Sequence, residues 1–96
     1  MSELKIKCQH PESLKNTIEN MISDRVKSLK SGIAKTKKRL LEFEEKYQLS
    51  TQEFLLRYEN DEFEETLELD EWIGEALMLK RLEEKIEKLR DIEFVI

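Results

Sequence analysis

Apolar positions repeat at alternating steps of four and three residues along the first half of the chain. The stripe consists of Ile22, Val26, Leu29, Ile33, Thr36, Leu40, Phe43 and Tyr47. Every member except Thr36 carries a large apolar or aromatic side chain. This heptad spacing is typical of an α-helix that packs against another helix. We therefore predict helix 1 over residues 12–47, with Leu14, Ile18 and Met21 at the start of its apolar face.

Turn and capping signals divide the rest of the chain. Ser50, followed three residues later by Glu53, forms a capping-box pattern, which predicts that helix 2 spans residues 51–59. Asp70 is a suitable N-cap for helix 3 over residues 70–91, because its carboxylate can accept a hydrogen bond from the first turn. The predicted stripe of helix 3 consists of Trp72, Ala76, Leu79, Leu82, Ile86 and Leu89. Residues 60–69 then form an acidic connector.

Two glycines and one proline in 96 residues favour long helices over a turn-rich β fold. We predict a single all-α domain over residues 1–96: a long antiparallel, coiled-coil-like hairpin with short helix 2 covering the bend. Trp72 is expected in its core. Gly32 costs helix 1 about 1 kcal/mol relative to alanine, and we expect a bulky side chain such as Trp72 to lie close to it. The pattern leaves open whether helix 1 is continuous there.

Both ends of the chain have β-strand character. Leu4, Ile6 and Cys8 alternate with lysines, and residues 92–96 are apolar and β-prone. An antiparallel return of helix 3 would bring these ends together as two short strands. A partner could add a strand to their free edge, with Phe94 and Ile96 in the contact.

Charge is distributed unevenly over the chain. Residues 1–46 hold eleven Lys and Arg against seven Asp and Glu, whereas residues 47–96 hold six against fifteen. The densest acidic stretch runs from Glu59 to Glu75 without a basic residue. The candidate protein-binding residues within it are Glu59, Asp61, Glu62, Glu64, Glu65 and Glu68. Such a surface attracts a basic protein and repels nucleic acid, although a simply solvated acidic surface is the alternative.

The chemistry of a catalytic or metal site is missing from the pattern. One histidine, His10, and one cysteine, Cys8, do not supply the three or four ligands of a zinc site. The acidic stretch lacks the central glycine of a calcium loop. We therefore expect no enzyme activity, no metal and no cofactor. The single cysteine suggests a cytoplasmic setting, and the lack of a long apolar run argues against a membrane span.

Basic residues are concentrated in the middle of helix 1. The patch consists of Lys27, Lys30, Lys35, Lys37, Lys38 and Arg39. It could contact phosphate, but no recognition-helix motif or aromatic stacking set accompanies it. Nucleic-acid binding is therefore the third interpretation of the chain.

The chain contains the stretches LLEFEEKYQLSTQEFLLRYEND and DEWIGEALMLKRLEEKIEKL, which are separated by an acidic spacer. Together they resemble small helical prokaryotic antitoxins of the TumA-like kind, which are partners of TumE-type toxins. The resemblance covers roughly residues 33–92. The positions that carry it are Phe43, Lys46, Tyr47, Ser50, Glu53, Phe54, Tyr58, Glu59, Trp72 and Gly74. Gln48 stands where the family usually has glycine, which suggests a slightly different exit from helix 1. The resemblance implies a protein that neutralises an RNase-type toxin and has no enzymatic activity of its own.

The leading expectation is therefore an antitoxin that binds a small basic toxin directly. The first alternative is a structural adaptor or homodimer whose heptad stripe closes on a second copy. The second alternative is a small nucleic-acid-associated regulator.

Overall fold

Three helices account for most of the molecule in the computed structural model, which describes residues 2–4 and 9–94. The elements in chain order are β1 (Ser2–Leu4), α1 (Pro11–Tyr47), α2 (Thr51–Glu59), α3 (Leu67–Arg90) and β2 (Ile92–Phe94). Helices α1 and α3 pack along each other in a hairpin that measures 60 × 22 × 18 Å. The predicted all-α hairpin is confirmed, and α1 runs through Gly32 without interruption.

The heptad stripe of α1 faces α3, as its spacing predicts. Leu29, Thr36, Leu40 and Phe43 are buried, and the other stripe members are half-buried. Met21, in contrast, is 64% exposed, so its predicted place on the apolar face is wrong. The reason is the direction of the side chain: Leu14, Ile18 and Ile22 are half-buried, whereas Met21 lies about 100° around the helix from Ile22.

Gly32 lies against Leu82, not against Trp72 as expected. A Cβ atom added to Gly32 would lie 3.4 Å from Leu82 Cδ1. Trp72 packs instead near the bend, beside Phe43 and Tyr47. The antiparallel pairing explains the difference, because Trp72 and Leu82 are ten positions apart on α3 and therefore lie at different heights along α1.

The bend between α1 and α2 is closed by specific polar contacts. Gln48 adopts a left-handed conformation with φ 52°, and its N–H donates to the Glu44 carbonyl. It thus occupies the C-cap conformation that glycine favours. Ser50 Oγ accepts from Glu53 N at 3.1 Å, which confirms the predicted N-cap of α2. The reciprocal half of the capping box is absent here, since the Glu53 carboxylate pairs with Arg57 at 3.1 Å.

Helix α3 begins one turn earlier than predicted. Its N-cap is Thr66, whose Oγ1 accepts from Leu69 N at 3.1 Å, so the prediction of Asp70 as N-cap is wrong. The connector correspondingly covers residues 60–66 and not 60–69. The early start is explained by Leu69, which is buried, because a helical first turn directs this side chain into the core.

The core of the bend is aromatic. Trp72 and Phe54 are fully buried, and their rings stack with centroids 3.9 Å apart. Phe43 and Tyr47 stack on Trp72 at 5.5 Å and 5.3 Å. Trp72 Nε1 donates to Thr51 Oγ1 at 3.0 Å, so the indole is satisfied as well as buried. The predicted core position of Trp72 is confirmed.

The two terminal strands pair in parallel, with Ser2 opposite Ile92 and Leu4 opposite Phe94. The proximity predicted from the antiparallel return is therefore found. Ile6 and Cys8, which the alternating pattern also assigned to a strand, lie outside the described residues.

Candidate protein-binding surface

An ordered, acidic segment follows α2. Asp61 N donates to the Tyr58 carbonyl and Glu62 N to the Arg57 carbonyl, both at 3.1 Å. Asp61 has φ 57°, a left-handed conformation that reverses the chain. Phe63 then packs edge-on against Phe54, with ring centroids 5.5 Å apart. These contacts hold the segment against the aromatic core, so its charged side chains project from a defined backbone.

Five carboxylates, one at the end of α2 and four on this segment, form what we call the acidic surface. Its members are Glu59, Asp61, Glu62, Glu64 and Glu65. All five side chains are exposed, and none forms an ion pair within the described residues. Their mutual repulsion favours any arrangement that brings a positive charge close to them. Among the predicted acidic residues, these five are available to a basic partner.

Glu68 differs from the other predicted acidic residues. It lies in the first turn of α3, half-buried, and its carboxylate accepts a hydrogen bond from Lys46 Nζ of α1. This hydrogen bond lowers the pKa of Glu68 below its ordinary value. The same bond raises the pKa of Lys46. The structure therefore places Glu68 in a contact between the two long helices, and its charge is already paired.

Tyr47 lies beside this ion pair. Burial raises the pKa of the Tyr47 hydroxyl, and the neighbouring Glu68 carboxylate raises it further. Lys46 Nζ lies 5.6 Å from the centroid of the Tyr47 ring, within cation–π distance. Lys46, Tyr47 and Glu68 thus form one contact group at the end of the hairpin.

Phe94, another predicted site residue, lies at the opposite end of the rod. Phe94 is the last residue of β2, and its backbone pairs with Leu4. Ile96 lies outside the described residues. Within the part of the chain that the structure describes, each strand pairs only with the other, so each has an unpaired edge. The acidic surface and this sheet are therefore two separate candidate contacts.

An apolar groove lies where α2 crosses α1 and α3, and the sequence pattern did not indicate it. Its volume is about 580 Å³. Its apolar lining consists of Leu40, Leu41, Leu55, Ala76 and Leu79. Lys37 and Glu44 also line it, and Leu41 is 57% exposed at its rim. Such a groove depends on how the three helices cross, so the heptad spacing alone could not reveal it.

Four of the six basic residues of the predicted patch on α1 share one side of the helix, since Lys27, Lys30, Lys37 and Lys38 fall within about 100° of one another. Arg39 pairs with Glu75 of α3, with Nε 3.1 Å from Oε1. Lys35 and Lys37 are two residues apart and therefore about 200° apart around the helix. The six basic side chains are all exposed.

Within residues 2–4 and 9–94, no cluster of three or more His, Cys, Asp or Glu side chains is arranged to hold a metal ion. None of the helices in this part of the chain combines the length and the apolar character that a membrane crossing requires.

Comparisons of the chain with family models, with curated proteins and with solved structures give no match. The resemblance to TumA-like antitoxins therefore stays a prediction from the residues that carry it.

Proposed function

We propose that this protein is a non-enzymatic binding module, the antitoxin of a toxin–antitoxin pair, which neutralises a small basic toxin by direct contact. The observation that carries the proposal is the acidic surface: five exposed carboxylates that form no ion pair within the described residues, at the end of α2 and on a segment that backbone hydrogen bonds and Phe63 hold in place. A preorganised charged surface loses little conformational entropy when a partner binds.

The proposed contact works by charge complementarity. A toxin that cuts RNA needs a basic groove for the phosphate backbone of its substrate. Carboxylates of the acidic surface would occupy that groove in place of phosphates and exclude the RNA. Long-range attraction would also raise the association rate, and this contribution weakens as salt screens the charges.

The resemblance of residues 33–92 to TumA-like antitoxins supports the same interpretation from a different direction. In addition, the positions that carry the resemblance include Phe43, Phe54 and Trp72, which build the aromatic core beneath the acidic surface. The family pattern would thus specify the scaffold that holds the carboxylates.

The test takes the product of any adjacent gene that encodes a small basic protein and measures its binding to this chain by isothermal titration calorimetry at low and high salt. The variant Glu59→Gln/Glu62→Gln/Glu64→Gln/Glu65→Gln removes four charges from the acidic surface. The matched control is Glu42→Gln/Glu83→Gln/Glu84→Gln/Glu87→Gln, which removes four exposed charges from α1 and α3 outside the acidic surface and outside β2. Both variants have the same net charge, so non-specific attraction changes equally.

We expect the first variant to bind at least about tenfold more weakly at low salt, a loss of about 1.4 kcal/mol, and the control to bind like wild type. Equal weakening of both variants would show that only net charge matters and would reject the acidic surface as the site. No binding by the wild-type chain would reject the antitoxin assignment itself.

The sheet at the other end of the rod is the second proposed contact, at which a strand of the partner would add to an unpaired edge. Deletion of residues 92–96 tests it. Unchanged affinity for the same partner would remove the sheet from the interface and leave the acidic surface as the contact.

A further inference from the structure

On the exposed side of α1, the sign of the charged side chains changes at Leu41. Lys37 and Lys38 precede Leu41 by four and three residues, and Glu44 and Glu45 follow it by three and four. Lys37 and Glu44 line the apolar groove together with Leu41, whereas Lys38 and Glu45 are exposed. The segment therefore has an apolar centre, a positive end and a negative end.

Helical geometry places these charges in two rows. Lys37 and Glu44 are seven residues apart and so share one side of Leu41. Lys38 and Glu45 are also seven residues apart and share the other side. Each row has a lysine toward the start of α1 and a glutamate toward its end. A second copy of this helix that runs in the opposite direction would therefore place a glutamate opposite each lysine.

These charges are available for contacts between molecules. Lys37, Lys38 and Glu45 form no ion pair within the described residues. Glu44 uses its Oε2 to accept from Thr51 N at 2.6 Å, which leaves its other carboxylate oxygen for a lysine. A parallel copy would oppose like charges, lysine to lysine, and is therefore disfavoured.

We propose that a second copy of this chain docks on the apolar groove, with its α1 antiparallel to the first and a twofold axis passing beside Leu41. Each Leu41 then lies at the mouth of the other copy's groove. Lys37 of each copy faces Glu44 of the other, and Lys38 faces Glu45. The interface is isologous, so each of these two pairings occurs twice.

Exchange of the charges at Lys38 and Glu45 tests this arrangement without disturbing the hydrogen bond between Glu44 and Thr51 N. In the homodimer of the Lys38→Glu variant, the introduced carboxylate of each copy faces Glu45 of the other. In the homodimer of the Glu45→Lys variant, the introduced ammonium group of each copy faces Lys38 of the other. A mixture of both variants restores opposite charges at both positions. Sedimentation equilibrium over protein concentrations up to about 1 mM measures the dimer dissociation constant of each variant and of the mixture.

We expect a wild-type dimer, dissociation constants at least about tenfold higher for each charge variant, and recovery toward the wild-type value in the mixture. Circular dichroism checks that each variant keeps its helix content. A wild-type chain that stays monomeric over this range overturns the proposal. A dimer that is insensitive to either charge variant, or weakened variants that the mixture does not rescue, overturns the antiparallel register.

A second pair of variants tests the apolar centre. Leu41→Ser removes the side chain on the proposed axis, and Leu77→Ser is the matched control, because Leu77 is 53% exposed on α3 and does not line the groove. Loss of the dimer with Leu41→Ser and retention with Leu77→Ser supports the proposal. Equal effects of the two substitutions count against the groove as the contact.

Discussion

The rings of Phe54 and Trp72 stack with their centroids 3.9 Å apart and an interplanar angle of 7°, and both side chains are fully buried. This contact joins α2, which is only nine residues long, to the long hairpin. An isolated helix of that length is not stable in water. The position of α2, and with it the acidic segment that follows, therefore depends on this aromatic pair.

We predict that Phe54→Ala destabilises the fold by about 3–5 kcal/mol, because it removes buried area and leaves a cavity beside the indole. Leu56→Ala is the control, since Leu56 is exposed on the same helix and its truncation should cost about 0.5 kcal/mol or less. Urea unfolding followed by Trp72 fluorescence measures both. Similar losses for the two variants would contradict the role assigned to the stack.

We also predict that Thr51→Val destabilises the fold by about 1–3 kcal/mol, because it leaves the buried Trp72 Nε1–H without its acceptor. Valine has nearly the shape of threonine, so the packing around the indole changes little. The free energy of unfolding from urea titration gives the loss. A variant as stable as wild type would mean that the indole finds another acceptor.

The start of α3 offers a test between two candidate caps. Thr66→Ala should cost about 1 kcal/mol because it removes the side-chain oxygen that accepts from Leu69 N. Asp70→Ala should cost less than half of that, since Asp70 lies inside the helix and is exposed. Thermal unfolding of the two variants, each compared with wild type, decides between them. A larger loss for Asp70→Ala would restore the cap predicted from the sequence.

The N-cap of α3 could not be predicted from the local sequence. Thr66 and Asp70 are one helical turn apart, and either residue can cap a helix. The buried position of Leu69 decides between them, and burial is a property of the packed molecule. The stripes of α1 and α3, in contrast, follow from spacing alone, so the hairpin and the burial of Trp72 could be predicted, but the residues of α1 that Trp72 contacts could not.

The acidic residues of the candidate site could also be predicted from the sequence, but their contacts could not. Exposure of the acidic residues from Glu59 to Glu65 follows from their number and spacing. The pairing of Glu68 with Lys46 joins residues that are 22 positions apart, and the groove beside Leu41 depends on how three helices cross. Neither the ion pair nor the groove produces a periodic pattern in the sequence, so neither could be predicted from it.

The two glycines should respond differently to alanine. Neither has a positive φ, and both lie within helices, where alanine is favoured by about 1 kcal/mol. A Cβ on Gly74 meets no atom within 4 Å, so Gly74→Ala should stabilise the fold by nearly that amount. A Cβ on Gly32 touches Leu82, so the gain there should be smaller. Melting temperatures of the two variants give the order, and a destabilised Gly74→Ala would contradict it.

The contact of Glu68 with Lys46 makes stability depend on pH at both extremes. The pKa of Glu68 is lowered in the folded state by the hydrogen bond from Lys46, so its contribution is present above the ordinary value of 4.5 and is lost as pH falls through the folded pKa. The pKa of Lys46 is raised by the same bond, so its contribution is present below 10.5 and is lost as pH rises through the folded pKa.

We therefore predict that the difference in melting temperature between wild type and Glu68→Gln is largest near neutral pH and shrinks in acid, below about pH 4.5. In wild type the carboxylate accepts from Lys46 until it is protonated, whereas glutamine carries no charge at any pH. Glu64→Gln is the control, because Glu64 is exposed and forms no ion pair among the described residues. Thermal unfolding across the acid range measures all three proteins. A difference for Glu68→Gln that stays constant as the pH falls would show that the ion pair does not contribute to folding, and the contact between α1 and α3 would then rest on the apolar stripe alone.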